Sequence, residues 1–211
     1  MSDKLRAVNK LLRGASIEPV DTLAFPDVDV AMAEAALDES KTEMLLMGWW
    51  FNSENNWVIP LDSNGRAALP GAVISMQGNE QLHRRPLTGR GGYIYDMETH
   101  STDLTQFQRG DAAVSLDFLT DLNWTDLPLS AENYATVKAA RRFALDVDMD
   151  ANKIQYNIAD EENAYGILQR DNMRNIQMNV INSPLVGTLM ALAGNPNKAG
   201  LSLNPTGTRD E

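Results

Sequence analysis

The chain has 211 residues, with 18 Lys and Arg against 29 Asp and Glu, a formal charge of −11. That balance argues against a protein that grasps duplex DNA, because such affinity rests on cationic neutralisation of phosphates, and the absence of cysteine excludes disulfides, a thiolate nucleophile and a Cys zinc site. The longest apolar runs fall well short of the roughly 20 residues a membrane span needs, and the first ten residues lack the apolar core of a signal peptide, so a soluble protein made inside the cell is expected.

Taken in chain order, Leu5, Val8, Leu11 and Leu12 predict a short amphipathic helix. Ser2 or Asp3 would cap its start, and Gly14 would take the left-handed position after its end. Pro19 then enforces a turn or an extended link. A second helix is expected from Pro26, with Asp27 and Asp29 at the positive end of its dipole. Val30, Ala33, Leu37, Ser40, Met44 and Met47 keep one face over about five turns, widened by Ala35, Ala36, Leu45, Leu46 and Trp49. Ala33 and Ser40 are small, which permits close helix approach. Gly48 ends the helix, and Trp49, Trp50 and Phe51 are expected to plug a core rather than stack a ligand.

The middle of the chain reads as β structure. Strands are expected at 57–61, 72–76, 81–87, 92–96, 104–108 and 112–118. Breakers fall at Asp62-Ser63-Asn64-Gly65 and Leu69-Pro70-Gly71, and 97–103 reads as a hairpin loop. Helices then resume, with Ser130 as an N-cap and Ala140, Phe143, Ala144 and Val147 on one face. A longer helix starts near Asn152, with the stripe Ile154, Ile158, Tyr165 and Leu168 continuing less cleanly to Ile176. Its interior Gly166 costs roughly 1 kcal/mol against Ala and predicts a kink or a close contact. The flanking Asp160, Glu161, Glu162, Arg170, Asp171 and Arg174 suit a helix that projects from the core or lines a wet interface. Past Ser183-Pro184, Leu185, Val186, Leu189, Met190 and Leu192 form a short apolar stripe closed by Gly194, and the remainder has too few apolar groups to order alone.

These elements define an α+β fold: an antiparallel helical bundle with an inserted small antiparallel β-sheet or open barrel and an extended C-terminal arm. The expected division is 1–52 plus 128–180 as the helical domain, 53–127 as the β domain, and 181–211 as the arm.

No constellation carries a catalytic signature. His83 and His100 have no metal-spaced partner and read as ordinary polar loop residues. Asp146, Asp148 and Asp150 alternate like the opening of a calcium loop, but Ala151 and Asn157 stand where that loop needs Gly and Glu. Gly89-Arg90-Gly91-Gly92 leads into a strand, so it reads as a tight bend rather than a phosphate cradle at a helix start. Arg84, Arg85 and Arg90 make the one concentrated basic patch, expected to pair with a neighbour's carboxylates. Arg109-Gly110-Asp111 is treated as chance. No cofactor and no metal are expected. Carboxylates are numerous, but nothing singles out a pair for glycoside hydrolysis.

Four segments, in order, resemble a known family. They are Ala7-Val8-Asn9-Lys10-Leu11-Leu12 followed by Glu18-Pro19-Val20 and Thr22-Leu23; Gly48-Trp49-Trp50-Phe51-Asn52; Arg90-Gly91-Gly92-Tyr93-Ile94-Tyr95-Asp96; and Lys138-Ala139-Ala140-Arg141-Arg142-Phe143. They are similar to the tail tubular protein A family, the head-to-tail adaptors of short-tailed, podovirus-type bacteriophages. The likeness runs from about residue 7 to 180, and the arm after about 181 departs from it.

The resemblance implies a structural virion protein that is not an enzyme. It implies a homo-oligomeric ring, dodecameric in this family, between the portal protein and the tail nozzle, tail tubular protein B. The helical region would face the portal, and the β region the nozzle and tail fibres. Portal or neighbouring-subunit contacts are then expected at Leu185, Val186, Leu189, Met190 and Leu192. Nozzle-side or fibre-side loops are expected at Arg90, Tyr93, Tyr95, Thr99 and His100. DNA would pass through the channel without specific binding, and assembly would occur in the host cytoplasm. The alternatives are a tail-associated glycan hydrolase with a dual role and an assembly chaperone absent from finished particles.

Overall fold

A computed structural model describes residues 3–24, 27–78, 85–107, 112–147 and 151–181, with the side chains of the last helix described over 158–176. The fold is α+β, with four helices and two open antiparallel sheets among the described residues. The chain divides into two compact units, Met1–Arg170 and Asp171–Glu211.

Helix α1 spans Asp3–Gly14 and buries Leu5, Val8, Leu11 and Leu12 as its period demands. Its end differs from expectation. Gly14 stays helical, and Ser16 takes the left-handed conformation at φ 63°. The Ser16 N–H then donates to the Arg13 carbonyl and the Ile17 N–H to the Leu12 carbonyl, the paired bonds of a Schellman cap. The cap falls there because it turns Ile17 onto the core, where it packs. Asn9, only 3% exposed, then holds the following segment. Its amide donates to the Val20 carbonyl and accepts the Val20 N–H, both at 2.8 Å.

Helix α2 spans Val28–Leu45 behind Asp27, whose carboxylate accepts the Val30 N–H at 2.9 Å. Pro26 lies outside the described residues. Val30, Ala33, Ala36, Leu37, Ser40, Met44 and Leu45 are buried, whereas Met47 is exposed because the helix has ended before it. Ala35 and Leu46 also face out. Helix α3 spans Leu129–Asp146 and starts at Pro128, not Ser130. The Pro128 carbonyl accepts the N–H groups of Ala131 and Glu132, and its fixed φ sets the entry. Ser130 is therefore inside the first turn, its hydroxyl buried without a partner.

Helix α4 spans Ala151–Ile181. Over its described side chains, 158–176, Ala164 and Leu168 are buried, and Tyr165 sets its ring edge-on to Trp49 at 6.1 Å. The expected stripe is corrected at Ile158 and Ile176, which are exposed, because the inward side runs through 164, 165 and 168. Nothing stands within 4 Å of a Cβ built on Gly166, so no close contact explains that glycine. In the second unit, Arg174 pairs with Asp171 at 3.8 Å and the Asn175 amide donates to the Asp171 carbonyl. No described helix is long and apolar enough to cross a membrane.

The β region holds β1 (Ser53–Pro60), β2 (Val73–Gly78), β3 (Leu87–Arg90), β4 (Tyr93–Asp96) and β5 (Ala113–Thr120). β5 is central in a three-stranded antiparallel sheet of order β1-β5-β2, and β3 pairs with β4 as a separate hairpin. β5 buries Val114, Leu116, Phe118 and Thr120 in strict alternation. The strand expected at 104–108 does not form. Leu104 is buried, and Thr105–Phe107 is a single 3-10 turn. The Asp103 carboxylate accepts the Thr105 N–H at 2.9 Å and the Thr105 hydroxyl, drawing that backbone into a turn. The strand expected at 81–87 starts only at Leu87 as β3, and 81–84 lie outside the described residues.

Buried residues form two clusters. One joins α1, α2, α3 and α4 with Trp49 and Trp124. The other joins Ile59, Ala67, Leu87, Ile94, Leu104, Val114, Leu116 and Phe118.

Candidate functional site

Three of the four segments quoted above become two kinds of structure. The Gly48-to-Asn52 segment is an internal joint. Gly48 turns at φ 73°, where a Cβ would lie 3.3 Å from the Leu119 side chain. Trp49 is 5% exposed, and its indole N–H donates to the Met44 carbonyl at 2.8 Å. Trp50 and Phe51 are half-buried, pack on the helical cluster and meet edge to face at 4.8 Å, as a core plug should. Asn52 is fully buried. Its oxygen accepts the Trp49 N–H at 2.8 Å, and its amide donates to the carbonyls of Leu45 at 2.9 Å and Thr120 at 3.2 Å. One side chain therefore ties the end of α2 to the end of β5.

The Lys138-to-Phe143 segment is a second joint. Lys138 lies 2.9 Å from Glu43 of α2, and Arg142 reaches both Glu43 and Glu39. Hydrogen bonds from Lys138 and Arg142 outweigh desolvation and hold the Glu43 carboxyl below its ordinary value. Arg141 pairs with Glu161 of α4, and Phe143 is buried.

The Arg90-to-Asp96 segment behaves differently. Arg90 and Tyr93 are opposite in register, so Gly91 and Gly92 form a two-residue hairpin turn. Both have positive φ, at 58° and 80°, which the favoured hairpin turn requires and glycine supplies without strain. The expected tight bend is this turn. Alternation then sends Ile94 and Asp96 inward, each 0% exposed, and Tyr93 and Tyr95 to the opposite face.

Asp96 organises the next loop. It accepts the Glu98 N–H at 2.8 Å and the Thr99 hydroxyl at 2.9 Å. The Arg85 guanidinium lies 2.9 Å from Asp96, with Glu98 at 3.0 Å on its other side. Burial pushes the Asp96 carboxyl up, but these N–H and O–H donors and the Arg85 charge outweigh it, so its pKa is lowered. Arg85 thus finds its carboxylates within the chain, and its guanidinium also covers the Phe107 ring at 4.9 Å. Arg84 lies outside the described residues.

On the outer face, Arg66 stands 4.2 Å over the Tyr93 ring and Arg90 stands 3.9 Å over the Tyr95 ring. Arg66 is also fixed by Asp62, with Nε 3.0 Å from the carboxylate. Of the expected β-side residues, Arg90, Tyr93 and Tyr95 come together here. Thr99 instead turns its hydroxyl to Asp96, and His100 takes φ 55° at the end of the same loop. Leu185, Val186, Leu189, Met190 and Leu192 lie outside the described residues, as do Asp148, Asp150 and the Arg109-Gly110-Asp111 triplet.

Sequence reading missed Asn9 and Asn52 as hubs, and Arg66 as a partner of Tyr93. A buried Asn beside an aromatic cluster was a usable signal for Asn52. Arg66 had none, since its contact crosses a loop. Among the described residues, no group of three His, Cys, Asp or Glu is placed to hold a metal ion. A cleft of about 310 Å³ between the end of α2 and the sheet is lined by Met47, Ser53, Asn55, Ser75, Gln77 and Asp117 among others. Asp117 already accepts the Asn56 N–H at 2.8 Å, and glycoside hydrolysis uses two carboxyl groups.

Joints that lock helices to one another and to a sheet, with no metal-binding group among the described residues, describe a shape-holding fold that also carries an outward Arg–Tyr face. A sequence model of the tail tubular protein family matches residues 5–182, and the chain belongs to that family. It is 25% identical over 174 residues to "Tail tubular protein A" of Klebsiella phage KP34, covering 82% of this chain and 88% of that protein. The family makes it a structural viral tail protein, a component of the virion, rather than an enzyme.

Proposed function

We propose that the protein is a ring-forming head-to-tail adaptor, dodecameric, that joins the portal protein to the tail nozzle, tail tubular protein B. The helical domain, 1–52 plus 128–180, faces the portal. The β domain, 53–127, faces the nozzle and tail fibres through the loops that carry Arg90, Tyr93, Tyr95, Thr99 and His100. The arm, 181–211, places Leu185, Val186, Leu189, Met190 and Leu192 against the portal or a neighbouring subunit. Assembly takes place in the host cytoplasm, and DNA passes through the ring.

The observation that carries this reading is the separation of roles among the family-like segments. Two of them lock α2 to its neighbours, through Asn52 and through Glu43, and a third presents an Arg–Tyr face. An adaptor between two different partners needs two unlike surfaces, and such a division offers them. The charge of −11 also suits a conduit, because acidic walls let phosphates pass without ion pairs that stall transit.

Mass measurement of the purified protein, alone and with its portal, tests the proposal. A dodecamer-sized ring that joins the portal is expected. A monomer that ignores the portal would exclude an adaptor role. A complex structure whose channel wall is lined mainly by Lys and Arg would remove the conduit argument.

A further inference from the structure

Apart from Thr88, the outer face of the β3–β4 hairpin is built from two residue types. Strand alternation puts Tyr93 and Tyr95 on it, the register puts Arg90 beside them, and the loop before β2 lays Arg66 over Tyr93. Tyr and Arg, with Trp, are enriched among residues that dominate binding energy at protein interfaces: tyrosine brings large area with two rotors, and the guanidinium brings a planar fork of donors.

Arg90 differs from the other arginines. Arg6, Arg66, Arg85, Arg141, Arg142 and Arg174 each face a carboxylate of this chain. Arg13 and Arg170 donate to backbone carbonyls. Among the described residues Arg90 has neither kind of partner, only the Tyr95 ring. In a chain where acids outnumber bases 29 to 18, a guanidinium with neither a carboxylate nor a carbonyl partner among the described residues is conspicuous. Stacking fixes its plane while the N–H donors around its edge remain available, the arrangement that suits a carboxylate fork.

We propose that this face is the energetic centre of the nozzle contact, and that Arg90 receives a carboxylate of the nozzle protein. The inference rests on the reading that the β domain meets the nozzle. A protein carboxylate fits better than a DNA phosphate. Asp62 already neutralises Arg66, so among the described residues the face offers one uncommitted cation, enough for a single carboxylate and too few for a polyanion. The tyrosines add apolar contact that a phosphate backbone would not use.

The test uses the full-length protein and the purified nozzle protein of the same phage. Arg90→Glu is expected to weaken binding by about 100-fold, and Arg90→Lys and Tyr95→Leu by about 10-fold each, since a lysine is a point charge without the fork. Portal joining and melting temperature are expected to stay as in the wild type, because Arg90 is exposed. Equal nozzle binding by wild type and Arg90→Glu overturns the inference and leaves the orientation of the adaptor standing. Failure of the wild type to bind the nozzle overturns the orientation and the inference together. Arg90-dependent binding of a short DNA duplex, with none of the nozzle, overturns the carboxylate assignment.

Discussion

The helical cluster and the β cluster use their charges over different distances. In the helical part, Lys4 bridges α1 to Asp38 of α2, 34 residues away, and Arg6 bridges α1 to Glu132 of α3, 126 residues away. Lys138 and Arg142 bridge α3 back to Glu43. In the β part the described ion pairs are local: Asp62 with Arg66, and Arg85 with Asp96 and Glu98. Long-range pairs set how elements register against each other. Local pairs stiffen loops and leave the surface above them unobstructed. The contrast teaches that one part holds while the other presents, although both carry family-like segments.

The largest expected effect lies at the seam between them. Asn52→Ala would remove the buried side-chain partner of the Trp49 N–H and of the Leu45 and Thr120 carbonyls, leaving the Gly48 N–H on Leu45 and the backbone bond from Thr120 to residue 52. A loss of about 2–4 kcal/mol is expected from equilibrium urea unfolding. A loss below about 1 kcal/mol would mean that the joint is not what fixes the end of α2 against β5.

Next in size is Asp96→Asn, expected to cost about 1–3 kcal/mol at neutral pH, since a fully buried carboxylate loses its charge-assisted bonds. Here the pH dependence gives a sharper reading than the size. The folded pKa of Asp96 is depressed below its ordinary 3.8, so its contribution is present above that value and lost as pH falls through the folded pKa. Wild type should therefore lose stability faster than Asp96→Asn on acidification below about pH 4. Parallel pH profiles would show that Arg85 and the loop donors do not favour the ionised form.

A smaller effect separates the two classes of ion pair. Glu43→Gln breaks the α2–α3 bridge, but Glu43 is 42% exposed, so solvent screening limits the loss to about 0.5–1 kcal/mol. Because Lys138 and Arg142 hold its pKa low, the wild-type advantage is present at neutral pH and lost as pH falls below the ordinary 4.5. It should also shrink in high salt, and a difference unaffected by 1 M NaCl would argue that packing rather than charge carries it.

Helices and the central strand were legible in the sequence because their periods are set by burial alone. Val8, Leu11 and Leu12 repeat at helical spacing, and Val114, Leu116 and Phe118 alternate. Ends and turns were less legible, because competing local bonds choose among several nearby residues. Ile17 needed to reach the core, so the left-handed residue became Ser16 rather than Gly14. Pro128 displaced Ser130 as the start of α3, and Asp103 bent an apparent strand into a turn. The candidate face was half legible. Alternation around Ile94 predicts that Tyr93 and Tyr95 share a side, but the Arg66–Tyr93 stack depends on how the loop from 61 to 69 folds back.

The smallest expected effect on stability is the most informative about presentation. Arg90→Ala removes an exposed cation stacked on Tyr95. An exposed cation–π contact contributes roughly 0.5–1 kcal/mol, and relief of side-chain ordering offsets part of it. Unfolding free energy should therefore move by no more than about 0.5 kcal/mol, within the range of ordinary surface changes. Tyr95→Leu should behave similarly, since its neighbour Ile94 carries the buried side of the strand. If Arg90→Ala instead cost about 2 kcal/mol, the stack would be holding the hairpin together, and the face would belong with the joints. Near-neutral stability has the opposite meaning. The stack would then contribute little to the fold, which is what the proposed nozzle contact requires of it.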